Sequence, residues 1–428
     1  MTTSETAGDP VGCTEFNRSI ASRRSFLKGL GVVSAGGVMA TMHGTVFRQT
    51  AFAASGSAEN VLVVLSQRGG ADGMSMVVPY GDPEYARARP TIGIPPSQLL
   101  QTDGFFGLHP HLAPLERMWS GGTMAAVHAV GMPAPNRSHF DAIIEVEEAD
   151  PGSPGRIGWL NRMIGMSEPG SLFGAVQIGD GVPHTEIYGA QATLSATDIE
   201  KIQIYGPVNA MPQRMASLDV TWGQAAGPIG EAGRTGLSTA AEWGPVLQTS
   251  ASPQNGATYP SCDLGDALAQ SARLIRADVG AEVITVDHSS WDMHTDLGTL
   301  ANGLMIDMLD DLAGSIAAFF TDLGDLAANV TLVTISEFGR RVLENGDAGL
   351  DHGYGNAMLL FGAGVKGGSV YGAWPHLDAS HLVDGDLAVT TDYRSVLSEV
   401  VKTRFTSVSL PTLFPGFTGE RVGVMVGA

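Results

Sequence analysis

Val330 to Gly353 reads VTLVTISEFGRRVLENGDAGLDHG, and its opening decides the fold. Val330-Thr331-Leu332-Val333-Thr334-Ile335 is uncharged and rich in β-branched residues, the pattern of a strand buried in a parallel sheet. Polar groups begin where the run ends: Ser336, Glu337, Arg340 and Arg341, then Asp351-His352-Gly353 after a loop with Gly and Asn. In open α/β sheets, ligand sites form beyond the carboxyl ends of the strands. The stretch therefore brings a carboxylate, two guanidinium groups and an Asp-His pair to where a site is expected.

The same alternation extends in both directions. Val61–Leu65, Met124–Val130, Ala175–Ile178, Glu282–Val286 and Met358–Phe361 are predicted strands. Leu264–Val279 and Leu297–Leu323 are predicted helices, the second with Leu300, Leu304, Met308, Leu312, Ile316 and Phe320 on one stripe. His111–Ser120 is expected to be helical, and Asp392 to cap a last helix running to about Phe405. Ser138-His139-Phe140-Asp141 opens another. Strands alternating with helices imply βαβ units, hence an α/β fold with a doubly wound, mostly parallel central sheet and helices on both faces. Trp222–Tyr259, rich in Gly, Ala, Ser and Pro, reads as long surface loops, part of a loop-rich cap or insertion over about 150–260.

The N-terminus carries a different signal. Ser22-Arg23-Arg24-Ser25-Phe26-Leu27-Lys28 has the form of a twin-arginine export signal, followed by a weakly apolar stretch from Leu30 to Met42 and an A-x-A site at Ala51-Phe52-Ala53. Residues 1–53 are read as the signal and 54–428 as a single α/β domain, periplasmic or extracellular. The apolar stretch is too short for a stable membrane span. Cys13 and Cys262 are the two cysteines, so no internal disulfide is expected once the signal is gone. The net charge of −20 argues against nucleic-acid binding, and an anionic substrate would need a local positive site.

Polar groups follow several strands in turn: Asp72; Ser138, His139 and Asp141; Asp292 and His294; Glu337, Asp351 and His352. Carboxylates and imidazoles converging at one sheet edge suit zinc or another divalent metal. Arg68, Arg340 or Arg341 could clamp an anionic ester. Each residue also has a plainer role open to it. Asp72 fits an Asx-turn, and Ser138 with Asp141 fits a helix N-cap.

The segments RGGADGMSMVVPYGDPEYARARPTIGIP (68–95), GLHPHLAPL (107–115), VHAVGMPAPNRSHFDA (127–142), SWDMH (290–294), SEFGRR (336–341), DHG (351–353) and TTDYRSV (390–396) carry a family resemblance. They resemble the domain of unknown function 1501 family, which is itself similar to the alkaline phosphatase and sulfatase superfamily. The resemblance implies an alkaline phosphatase-like sheet with metal at the strand ends. It also implies Asp72, Asp292, His294, Glu337, Asp351 and His352 as metal ligands, and Ser138, His139 and Arg340 as catalytic residues. Zinc is the expected ion, with calcium and manganese as alternatives. Where the superfamily has an adjacent Asp-His pair, this chain has Glu337-Phe338, and Phe338 cannot replace a ligand histidine. One metal site is expected and a second is not. The function implied is an exported hydrolase of phosphate or sulfate esters, with Ser138 or a metal-bound water as nucleophile. The alternative is a non-catalytic envelope protein that keeps the fold with one structural metal or none, and binds a glycan or assembles with an exported protein partner.

Overall fold

The computed structural model describes residues 58–166, 173–179 and 181–427, with two short strands ahead of them, β1 (Ala40–Met42) and β2 (Thr45–Phe47). The arginine pair and the Ala51-Phe52-Ala53 site lie outside the described residues.

The run that opens the decisive stretch is strand β10 (Val330–Ile335), buried at every position. It pairs in parallel with β3 (Val61–Gln67), Val330 opposite Val61 and Ile335 opposite Ser66. On the other side of β3 lie β9 (Val283–His288), β7 (Ala175–Ile178) and β8 (Leu194–Ala196), all parallel. β2 pairs antiparallel with β8, so cutting after Ala53 would uncover that edge.

Beyond β10 the direction changes. β11 (Asn356–Gly362) is antiparallel to β10 and to β6 (Met124–Gly131), while β12 (Val370–Tyr371) and β13 (Thr391–Asp392) run parallel to β6. The reason is the connection. Residues 336–355 contain no crossover helix, so the chain re-enters the sheet at the end it left and must run back. A separate ribbon pairs β4 (Val77–Val78) with β5 (Gly107–Leu108).

Alternation along the strands decides which helices cover which face. Val61, Val63 and Leu65 share a core with α6 (Asp263–Arg276) and α7 (Leu304–Leu323). Leu62 and Val64 face the opposite core, with α2 (His139–Glu148), α3 (Trp159–Ile164) and α8 (Tyr393–Arg404). The sheet is therefore mixed but mainly parallel and covered on both faces. One very short helix, α1 (Gly73–Met76), follows β3, and α4 (Met211–Gly223) and α5 (Gly227–Glu242) lie between β8 and α6.

Two expectations need correction. Residues 222–259 are not long loops throughout: α5 and a short helix, Gly244–Gln248, occupy much of them, and α4 precedes them. Pro212, Pro228 and Pro245 sit at the first helical positions, where a missing N–H costs nothing, so these prolines start helices. The long helix begins at Leu304 and not at Leu297. Gly298 and Gly303 turn back on each other ahead of it with φ of +88° and +130°, so Leu300 lies outside the helix although it fits the stripe. His111–Ser120 is part 3-10 helix (Pro110–Leu115) and part α-helix (Glu116–Ser120), divided near Pro114.

The stripe on α7 is the clearest test of where stability resides. Leu312 is fully buried, so Leu312→Ala should cost about 2–5 kcal/mol in urea unfolding. Val220 on α4 is 80% exposed, and Val220→Ala should stay within about 0.5 kcal/mol of the parent.

Candidate metal centre

Three strand ends and one helix start meet at the carboxyl edge of the sheet. β3 leads into Gly69 and Gly70, with φ of +115° and +73°. A Cβ on Gly69 would lie 2.6 Å from the backbone N of Asp292, so only glycine lets the loop after β9 approach this closely. β10 ends at Ser336-Glu337, and Ser336 Oγ donates to Gln67 O at 2.8 Å, joining the two strand ends. The Asp351-His352 segment returns beside Arg340 through an isolated antiparallel bridge between Arg340 and His352. The N-terminus of α2 supplies His139, with Ser138 as its cap; the Ser138 hydroxyl accepts from Asp141 N at 3.4 Å.

Four donor atoms come together there. His352 Nε2 lies 2.9 Å from His294 Nε2, 3.1 Å from His139 Nε2 and 3.2 Å from Asp292 Oδ1. Asp292 Oδ1 is 3.1 Å from His294 Nε2 and 3.6 Å from His139 Nε2. Ligands of a tetrahedral zinc, each about 2.0–2.1 Å from the ion, would stand about 3.3 Å apart. His139, Asp292 and His352 form the one group of metal-ligating atoms all within 4.8 Å of one another among the described residues.

The outer ring nitrogens explain why this set fits a cation. His139 Nδ1 lies 2.9 Å from Glu337 Oε1, His294 Nδ1 3.1 Å from Asp351 Oδ1, and His352 Nδ1 2.9 Å from the Arg137 carbonyl. A carbonyl or an ionised carboxylate can only accept, so each Nδ1 must carry the proton. In the neutral ring the lone pair is then on Nε2, and three such lone pairs face one another and a carboxylate. A divalent ion among His139, Asp292 and His352 would satisfy those three, with His294 Nε2 2.9 Å from His352 Nε2 beside them.

The same carboxylates attract protons to these nitrogens as they would a cation. Burial alone would lower the pKa of His139, but the Asp292 and Glu337 carboxylates outweigh it and push the imidazole up to about 9. Burial would raise the carboxyl of Asp292, yet hydrogen bonds from the three histidines and the charge of Arg340 hold it below its ordinary value. A bound metal takes the place of the imidazole protons. The cluster opens toward solvent on one side: the His294 side chain is 30% exposed, and that of His139 is 2%.

Several sequence candidates sit elsewhere than expected. Asp72 faces Arg89, accepting from Nη2 at 2.9 Å and from Nη1 at 2.5 Å, and it caps α1 through Ser75 N. Its Asx-type role is the one observed. Glu337 stands behind His139, accepting from Gly69 N at 2.8 Å, and Asp351 stands behind His294. Arg340 is buried and donates to the carbonyls of Gly69, Gly70, Leu350 and Trp291 and to Asp292 Oδ1 at 2.7 Å. That leaves it committed to the site wall and not poised as a clamp on an ester. Arg68 is likewise buried, ion-paired with Glu147 at 2.5 Å and Asp287 at 2.8 Å. His139, expected among the catalytic residues, lies among the donor atoms. The Phe338 ring packs 4.8 Å from the rings of both His139 and His352, filling space beside them with phenyl.

Asn356 and the Arg137 carbonyl were not legible as site residues, nor Arg89 as the partner of Asp72. Asn356 Oδ1 accepts from Gly73 N and its Nδ2 donates to Phe338 O, fixing the loops after β3 and β10 relative to each other. The i, i+17 spacing of Asp72 and Arg89 has no regular-element meaning, and a carbonyl leaves no mark in a sequence.

Because Asp72 and Arg89 are buried together, Asp72→Asn should be strongly destabilising, about 3–5 kcal/mol, while the metal content of the folded protein stays unchanged. Burial would raise this carboxyl, but Arg89 holds it below its ordinary value of 3.8. The pair's contribution is thus present above the unfolded carboxylate range and lost as pH falls through the depressed native value. Acid unfolding of the parent and of Asp72→Asn, compared by circular dichroism, checks the sign: the parent should lose its advantage only at low pH.

No curated protein matches the chain. Among solved structures it is similar to the PsFucS1 sulfatase from Pseudoalteromonas sp., at 10% identity and a TM-score of 0.37, covering 85% of this chain and 73% of that one. It is also similar to the zinc complex of the C-terminal periplasmic domain of EcEptC from Escherichia coli, at 11% identity and a TM-score of 0.31, covering 86% and 92%. A third likeness is to the lipoteichoic acid synthase LtaP from Listeria monocytogenes, at 6% identity and a TM-score of 0.30, covering 73% and 68%. Residues 246–395, which supply Asp292, His294, Glu337, Arg340, Asp351 and His352, match the family described as "Protein of unknown function (DUF1501)", the family that the sequence motifs resemble.

Proposed function

We propose that the chain is an exported, mononuclear metal-dependent hydrolase of phosphate or sulfate esters. The observation that carries this reading is the set of three imidazoles, each with Nδ1 held by an oxygen acceptor and Nε2 turned toward Asp292 Oδ1. His139, His294, His352 and Asp292 would hold the ion. Three nitrogen donors favour a zinc-class metal over calcium, which takes oxygen ligands. Bound there, such an ion supplies Lewis-acid polarisation and lowers the pKa of a water or hydroxyl on it.

The chain's own residues would do the rest. Glu337 and Asp351 keep their histidines in the ligating tautomer and orientation. Arg340 keeps Asp292 ionised. Ser138 opens α2 next to His139, and its hydroxyl is the group there that would serve as a nucleophile. Arg137 and Arg341, each about one-third exposed although both face the Asp386 carboxylate, would be the positive groups in this region that an anionic ester meets against the acidic field of the whole protein.

A second reading, a protein with one structural metal and no turnover, is favoured by Phe338. Its ring lies against two of the histidines, where no second ion can be ligated by phenyl. Four protein donors would also complete a tetrahedral shell, and catalytic zinc keeps one position open.

Metal analysis of the exported protein should find about one divalent ion per chain, and His352→Ala should remove it. With aryl phosphates and aryl sulfates, the parent should turn over at least one class, and Ser138→Ala should keep the metal while losing activity by about 100-fold or more. Bound metal without turnover on any ester would support the structural reading. Absence of metal, with melting unaffected by chelator, would sink both.

A further inference from the structure

We propose that Asp386 is a positioning residue of the metal centre, acting through Arg137 on His352 and on the loop that carries Ser138 and His139. This rests on the metal-centre reading given above.

Asp386 is fully buried in the segment between β12 and β13. Its Oδ2 accepts from Arg137 Nε at 2.9 Å and also from Nη2. Arg137 faces two ways: its side chain goes to Asp386, and its carbonyl accepts the His352 Nδ1 proton across 2.9 Å. The side chain is also steadied from the other side, with the guanidinium 4.5 Å from the centre of the Tyr354 ring. One buried carboxylate thus fixes the carbonyl that sets the tautomer and plane of a ligand histidine.

The loop needs that anchor. Residues 132–138, Met-Pro-Ala-Pro-Asn-Arg-Ser, have neither helix nor strand structure. Pro133 and Pro135 have no N–H to donate. Asn136 bonds locally, to Ser138 N at 2.9 Å. The long-range side-chain tie of this loop runs from Arg137 to Asp386, two residues before His139. Asp386 is itself well placed to act as a fixed point. It exchanges backbone hydrogen bonds with Val383 in a tight turn, and it forms a bridge to Arg341, the neighbour of the Arg340 that bridges to His352. The segments at 137, 341, 352 and 386 are therefore laced together around one ligand.

A buried ion pair elsewhere in this protein, Asp72–Arg89, supplies the contrast. It is tied to a helix cap and, through Arg89, to the Arg341 and Val342 carbonyls, but makes no contact with a ligand imidazole, so its loss should lower stability far more than metal affinity. The test uses the full-length exported chain. Zn²⁺ affinity is read by chelator competition, and the visible bands of the Co²⁺-loaded protein report ligand geometry. Asp386→Asn and Arg137→Ala should each weaken Zn²⁺ binding about 10–100-fold and shift the Co²⁺ bands at saturation. Arg137→Lys, partly exposed and still charged, should recover part of the affinity and keeps the test open where Asp386→Asn does not fold. Asp72→Asn should lower the melting temperature and leave affinity and bands unchanged. Affinities within about twofold of the parent in Arg137→Ala and Arg137→Lys, with unmoved bands, would overturn the positioning role while His352→Ala still abolished binding. A parent chain that binds no metal would instead overturn the centre itself, and the proposal with it.

Discussion

The Asp292 carboxylate is the point on which the site depends. Its side chain is almost wholly buried, and Oδ1 is within 3.6 Å of three imidazole nitrogens and 2.7 Å from an Arg340 nitrogen. A buried carboxylate without partners would take up a proton instead of keeping its charge. Here the surrounding donors hold it ionised, and it in turn draws imidazoles from three different parts of the chain into one cluster. Arg340 is the same constraint seen from outside. By donating to four backbone carbonyls as well as to Asp292, it locks the loops after β3 and β9 to the segment that carries His352.

That locking requires backbones to approach more closely than side chains allow. Gly69 admits the Asp292 backbone, and Gly353 admits the Arg340 backbone, where a Cβ would meet the Arg340 carbonyl carbon at 2.4 Å. Outside this shell stand the acceptors that set the histidine tautomers, and beyond one of those stands the Arg137–Asp386 pair. The clustered side chains come from the start of α2 and from the segments after β9 and β10. Their orientation comes from residues scattered through long loops. Preorganisation of this kind lets a cation bind without ordering the chain first.

Phe338 gives the centre its asymmetry. It immediately follows Glu337, whose carboxylate faces His139, yet its own ring stacks near the same histidine and near His352. One side of the cluster is thereby closed by an apolar surface, and the exposed edge is left on the side of His294 and Asp351. The cluster is thereby left open to approach from one direction.

The fold was largely written in local pattern. β10 and β7 were legible to the residue because uncharged β-branched runs have little choice but a buried sheet, and both sheet faces followed from strands alternating with apolar-striped helices. The same local logic failed where Gly and Pro begin helices at 211–248, and where a glycine pair turned the chain ahead of Leu304. It could also list the residues able to make a site, since strand ends must converge on one edge. It could not rank them. Whether Asp72 meets a histidine or Arg89, whether Arg340 points to solvent or to Asp292, and which ring nitrogen of His139 faces the cluster depend on contacts between residues 17 to 268 positions apart. The sequence by itself determined the elements and the edge at which they deliver polar groups, because periodicity and burial act locally. Only the tertiary structure decided which of those groups hold a charge between them, because pairing is a matter of distance in space.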